Sequence, residues 1–272
     1  TLTYSNADTI TLANGNITLN KTGDANGSVA VSGSGNTRTV TISAITGDGT
    51  LGISVAANTA SDTAGNNAVA PAASTTFNVD NSAPTVVVSA ASASDTNSGP
   101  ITYTVTYSNA DTITLANGDI TLNKTGSANG SVAVSGSGNT RTVTISSITG
   151  DGTLGISVAA NAASDTAGNT TLASGASSTF NVDNTAPTVS VGAASVSDTN
   201  AGPVTYTLTY SGADTISLAN GNITLIKTGT ANGTVSVSGS GNTSRTVTIS
   251  GITGDGTLGI SVAANTASDA AG

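Results

Sequence analysis

The sequence predicts an all-β chain of tandem seven-stranded β-sandwiches arranged as an extended rod. Three observations carry this expectation: apolar residues alternate with Thr and Ser at period two, a block of about 100 residues recurs, and the helix formers Glu and Gln are absent. The alternation is plainest at Ile101, Tyr103, Val105 and Tyr107, which share one face while Thr102, Thr104 and Thr106 share the other. Such a segment buries one side and wets the other.

Taken in order, the strands of the complete block fall at 85–90, 101–107, 119–123, 131–136, 140–147, 154–160 and 177–183. Val86–Val88 opens the block; Val132–Val134, Val143–Ile145, Leu154–Ile156–Val158 and Phe180–Val182 supply the later inward faces. The run Ile113–Leu115 is an eighth candidate, with Asn117–Gly118 as its hairpin turn. It is assigned to a long connection instead, because a rod needs each domain to be entered at one end and left at the other, which takes an odd number of strands.

The repeat sets the domain organisation. YSNADTI at Tyr4 returns at Tyr107 and, as YSGADTI, at Tyr210, a spacing of 103 residues. GDGTLGISVAAN begins at Gly47, Gly150 and Gly254, the last step being 104 because Ser244 is inserted. Residues 1–62 differ from 104–165 at five positions. A period of this length suits an independently folding domain better than a solenoid unit. The expected divisions are 1–83 (lacking its opening strand), 84–186 (complete) and 187–272 (lacking its last strand).

Composition excludes several classes of function. With no Cys and no His there is no thiolate nucleophile, no serine–histidine pair and no imidazole or thiolate metal site. No catalytic residue and no organic cofactor site is expected, and the chain is not expected to be an enzyme. A net charge of −9, from 15 Asp against 6 basic residues, argues against nucleic acid as a partner. No apolar run approaches a membrane helix, so no membrane insertion is expected in this segment.

SDTAGN at 164–169 and FNVDNTAP at 180–187 resemble the acidic loop and the strand-plus-linker of the immunoglobulin-like repeats of large bacterial surface proteins and adhesins. The resemblance spans all three blocks. It implies immunoglobulin-like sandwiches strung into extracellular stalks that hold a distal binding region away from the cell, often with calcium at the junctions.

Thirteen of the 15 Asp residues fall at five recurring places, all in connections. These are Asp95 and Asp198; Asp8, Asp111 and Asp214; Asp48, Asp151 and Asp255; Asp62, Asp165 and Asp269; and the linker acids Asp80 and Asp183. In a sandwich entered from the top, the second and fourth groups lie at one end and the first and third at the other. Candidate calcium ligands are therefore Asp80, Asn81, Asp165 and Asp111 at one junction and Asp183, Asn184, Asp269 and Asp214 at the next, with Asp95 and Asp151 reaching the second from below. Calcium takes several hard oxygens in flexible geometry, which suits carboxylates and Asn amides on short loops. Asp and Asn are equally ordinary turn residues, and that reading is preferred for Asp48, Asp151 and Asp255 in their GDG turns.

Lys21, Lys124 and Lys227 recur before Thr-Gly and read as surface charges rather than crosslinking residues; Arg38, Arg141 and Arg245 read as solubilising charges. Tyr103, Tyr107 and Phe180 sit at core parity, which leaves no aromatic platform for stacking sugars. The expected function is a non-catalytic spacer on the bacterial cell surface whose partners are its own neighbouring repeats. The alternative is a self-assembling filament or sheath, with other copies of the chain meeting the Thr-rich faces laterally or end to end; a repeated ligand-binding module is a third, weaker reading.

Overall fold

A computed structural model describes all residues, Thr1–Gly272. The chain is all-β: 49% of residues lie in strands, and the only helical pieces are the three-residue 3-10 turns Asn14–Asn16, Asn117–Asp119 and Asn220–Asn222. Asn117–Gly118 thus opens a 3-10 turn rather than a hairpin.

Numbered within the second repeat, the strands are β1 (Thr85–Val88), β2 (Asp95–Thr96), β3 (Ile101–Ser108), β4 (Thr112–Ile113), β5 (Ile120–Lys124), β6 (Asn129–Ser135), β7 (Thr140–Thr149), β8 (Gly152–Val158), β9 (Ala163–Ser164) and β10 (Phe180–Val182). One four-stranded sheet has the order β6-β7-β3-β1 and a second β2-β10-β8-β5, while β4 and β9 pair as a short ribbon. All seven expected strands have a counterpart, with ends displaced by a few residues. β8 begins at Gly152 because Gly152 pairs with Val182, a contact that a glycine does not advertise in sequence.

Three two-residue strands add to the seven. The connection holding Ile113 pairs as β4 with β9, through Thr112↔Ser164 and Ile113↔Ala163. Asp95, expected in a loop, lies in β2, which runs parallel to β10 through Asp95↔Asn181 and Thr96↔Val182.

The alternation of β3 does what period two demands: Ile101, Tyr103, Val105 and Tyr107 are buried, and Thr104 and Thr106 are exposed. Seventeen buried side chains form one core, drawing on β3 and β7 from one sheet and on β5, β8 and β10 from the other. The two sheets therefore close on a shared apolar layer, a sandwich-like arrangement. Tyr103 and Phe180 join the layers, with ring centroids 6.4 Å apart and planes tilted 43°. The remaining core clusters, one within residues 25–79 and one within 208–247, are each drawn from a single repeat.

Comparison of the repeats explains one buried defect. Tyr4 and Tyr210 share hydrogen bonds with Thr59 and Thr266 at 2.8 and 3.1 Å. Alanine takes that place in the second repeat, as Ala162, and the Tyr107 hydroxyl is buried without a partner. Burial accordingly pushes the Tyr107 phenol up from its usual range. Ala162→Thr is expected to stabilise the second repeat by about 1 kcal/mol, read as a higher urea midpoint, because it pairs a desolvated hydroxyl that now has none.

Candidate functional site

The acidic residues meet the linkers at the ends of the sheets. The GDG turn after β7 places Gly150 and Gly152 at φ of +75° and +141°, backbone that suits glycine. The turn is pinned from inside by its own Asp151 carbonyl, which accepts the Ser127 and Ala128 amides at 2.8 and 3.1 Å. Held this way, it presents two acceptors outward. The Asn184 backbone N–H donates to Asp151 Oδ1 at 2.6 Å, and the Asn184 side-chain amide donates to the Gly150 carbonyl at 2.5 Å. Thr185 adds its hydroxyl to Asp151 Oδ2 at 3.4 Å, and its N–H closes a turn on Asp183 Oδ1 at 2.9 Å.

The other junction repeats this latch. Asn81 donates its N–H to Asp48 Oδ1 and its side-chain amide to the Gly47 carbonyl, both at 2.6 Å. Ser82 donates its hydroxyl to Asp48 Oδ2 at 2.8 Å and its N–H to Asp80 Oδ1 at 3.0 Å. Hydrogen bonds to an ionised carboxylate are shorter and stronger than neutral ones. The Asn81 N–H, and after it the Ser82 hydroxyl, hold the Asp48 carboxyl below the usual carboxylate range.

The second repeat meets the linker before it through the loop after β9. Asp165 accepts the Asn169 N–H at 2.9 Å and the Asn169 side-chain amide at 2.8 Å. The same amide nitrogen carries a second hydrogen, which it donates to the Asp80 carbonyl of the preceding linker at 2.9 Å. Asp62 and Asn66 form the corresponding turn in the first repeat. In both turns the Asn side-chain amide is the main cause holding the Asp carboxyl below its usual range.

Asp111 ties the loop before the 3-10 turn to this one, its Oδ2 accepting the Thr166 N–H at 2.8 Å and hydroxyl at 2.6 Å. Asp8 does the same with Thr63. In the third repeat Ala270 stands in place of Thr166, and no side-chain hydrogen bond reaches Asp214. Asp269 instead accepts the Ala271 and Gly272 amides, both at 3.0 Å.

The structure brings Asp95, Asp151, Asp183, Asp214 and Asp269 to the walls of one cleft of about 470 Å³ between the second and third repeats. The sequence places these five at that seam. Asp95 is tied within its own repeat, accepting the Ser94 hydroxyl at 2.6 Å and the Asn181 side-chain amide at 2.9 Å; these bonds, Ser94's first, lower its carboxyl pKa. Asp198 accepts the Ser197 hydroxyl at 3.0 Å. The oxygens are the kind calcium takes, yet no three acidic side chains stand close enough together to hold an ion. Most of their oxygens already accept N–H or O–H donors.

Sequence reasoning treats Asp48 and Asp151 as turn residues; they are that and also the receptors of the linkers. It passes over Gly47, Gly150, Ser82 and Thr185, whose signal is the joint recurrence of GDG and the linker Asn-Ser or Asn-Thr at a fixed separation. Lys21, Lys124 and Lys227 are exposed and donate to Asn26, Asn129 and Asn232 at 3.1–3.2 Å.

No protein-family model matches the chain, and searches of curated proteins and of solved structures return no significant match.

Proposed function

We propose that the chain is a non-catalytic spacer, part of the stalk of a long extracellular bacterial surface adhesin, built of tandem seven-stranded immunoglobulin-like sandwiches. The observation that carries this reading is the latch made twice with the same groups, Asp48 with Asn81 and Asp151 with Asn184. A linker that clips to the preceding repeat through two short hydrogen bonds leaves in one direction, so copied units add length instead of folding back. The strand orders β6-β7-β3-β1 and β2-β10-β8-β5 support the immunoglobulin-like assignment, since they place first, second, fifth and fourth principal strands opposite third, sixth and seventh.

Hydrogen bonds, not calcium, set the angle at the junctions in this reading. Small-angle scattering tests it on the chain 1–272. The expected particle is a monomer about three times as long as one repeat, with a profile unchanged by adding calcium or a chelator. Asp48→Ala with Asp151→Ala should broaden the distribution of lengths. A profile that stiffens only with calcium would replace the hydrogen-bonded junction with an ionic one; a compact particle would end the spacer reading.

The filament alternative is favoured by Val69 and Leu172, which lie one repeat apart and are 85% and 78% exposed. Apolar groups presented at a regular spacing can meet other copies laterally. Sedimentation decides it: a chain that stays monomeric at high concentration does not assemble through them.

A further inference from the structure

The tripeptide Asn-X-Ser/Thr, with X other than Pro, is the acceptor sequence for an N-linked sugar, and it occurs nine times in the chain. A transferase needs the Asn side-chain amide and the hydroxyl two residues further on to be free together, on a surface loop. The fold withholds this at eight of the nine.

Asn20 and Asn123 lie inside strands, their side-chain amides donating to the Ser54 and Ser157 hydroxyls at 2.8 and 3.4 Å. The hydroxyls they would need, on Thr22 and Thr125, are bonded to Thr50 and Thr153, each at 2.8 Å. Asn26, Asn129 and Asn232 open strands and accept the neighbouring Lys ammonium groups. Asn16 and Asn222 close 3-10 turns, where their Oδ1 atoms accept the Ala13 and Ala219 amides at 2.9 and 2.8 Å. Asn169 is tied to Asp165 and to the Asp80 carbonyl, and its Thr171 is buried.

Asn242 is the exception. It sits in the hairpin between the strands Asn232–Ser238 and Ser244–Thr253, where every residue from Ser238 to Ser244 is exposed. Neither its side chain nor the Ser244 hydroxyl makes a hydrogen bond within the chain. Gly239 and Gly241, at φ of +110° and +81°, carry the bend.

This hairpin is also where the third repeat departs from its copies. The first two read Asn36-Thr37-Arg38 and Asn139-Thr140-Arg141, and only the inserted Ser244 completes the acceptor tripeptide. The extra residue is confined to the loop: Leu208 pairs with Arg245 as Val105 pairs with Arg141, so the register of the sheet is kept.

We propose that Asn242 is an N-glycosylation site of the folded chain. The co-substrate is a sugar activated at its anomeric carbon as a phosphate ester, carried by a nucleotide or by a lipid pyrophosphate and presented by a transferase. Asn242 Nδ2 attacks the anomeric carbon while the bond from that carbon to the phosphate oxygen breaks. The phosphate leaves with the bonding electrons, and the amide passes one of its two protons to a carboxylate of the transferase. The site stands whether or not the array serves as a spacer.

The test incubates the folded chain 1–272 with a soluble Asn-X-Ser/Thr transferase and UDP-glucose, and separately with a membrane oligosaccharyltransferase and a lipid-linked oligosaccharide. Peptide mass spectrometry maps the products. Expected is a single modified residue, Asn242, bearing one hexose in the first arm or a whole oligosaccharide in the second; product in either arm supports the site and identifies the donor. Deleting Ser244 restores the hairpin of the first two repeats, so the urea midpoint should hold while the adduct is lost. A serine inserted between Thr140 and Arg141 should add a second acceptor at Asn139. No product in either arm, equal modification of Asn20 or Asn129 in the folded chain, an adduct that survives loss of Ser244, or no adduct at Asn139 after the insertion would each overturn the proposal. So would a chain recovered from the cells that make it with Asn242 bare.

Discussion

Phe180→Ala is expected to destabilise the second repeat by about 3–5 kcal/mol, a large share of the roughly 5–15 kcal/mol that holds a domain of this size together. Phe180 is 1% exposed, pairs with Leu154 across the sheet and sets its ring against Tyr103. Removing the ring leaves a cavity between two sheets whose spacing is held by the remaining core, so the site has little freedom to collapse. The measurement is urea unfolding followed by amide exchange at Val143, Ile145 and Leu154, which reports the second repeat separately. The first repeat supplies the comparison. Phe77 occupies the same place there but is 44% exposed and has no aromatic ring against it. Phe77→Ala should cost about 1–2 kcal/mol; equal costs at the two positions would contradict the assignment of Phe180 as the ring that joins the layers.

Gly150→Ala is expected to cost about 2–4 kcal/mol and to loosen the junction as well. Gly150 sits at φ +75°, a conformation strained for alanine, and an added Cβ would overlap the Ser127 carbonyl oxygen. Relief requires the GDG turn to move away from the 125–128 loop. That displaces the Gly150 carbonyl from the Asn184 side-chain amide, so the structural defect and the loss of the linker bond arrive together. Amide exchange at Ala128 and the width of the scattering-derived length distribution measure the two effects. Gly118→Ala is the control, since nothing lies within 4 Å of its added Cβ and its φ is not positive; it should be close to neutral. If both variants behave alike, the turn is not the rigid receptor described above.

Most of the sheet structure was legible because strand patterning is local. Ile101 through Tyr107 alternate strictly, and so does their burial. The two-residue strands were not legible. β2 is too short to show a period, and its parallel partner, Asn181–Val182, lies 86 residues further along the chain at Asp95↔Asn181. The gathering of Asp95, Asp151, Asp183, Asp214 and Asp269 at one seam followed from counting strands, because entry and exit at opposite ends fixes which loops meet. Which of those carboxylates hold the chain did not follow. Asp48 and Asp151 sit in the same GDG turn and accept the Asn81 and Asn184 amides, and a turn motif read by itself does not show which donor it meets.

The amino-acid sequence by itself determined the repeat, the pleated faces, the core positions of Tyr103, Tyr107 and Phe180, and the absence of the side chains that most catalysis needs. Each of these depends on residue identity at short or periodic spacing. Only the tertiary structure decided that Asp48 and Asp151 receive the linkers, that Ala162 orphans the Tyr107 hydroxyl, and that Ala270 leaves Asp214 without its threonine. Those outcomes rest on contacts between distant segments, where a hydrogen bond exists only if both partners arrive in place with the right orientation.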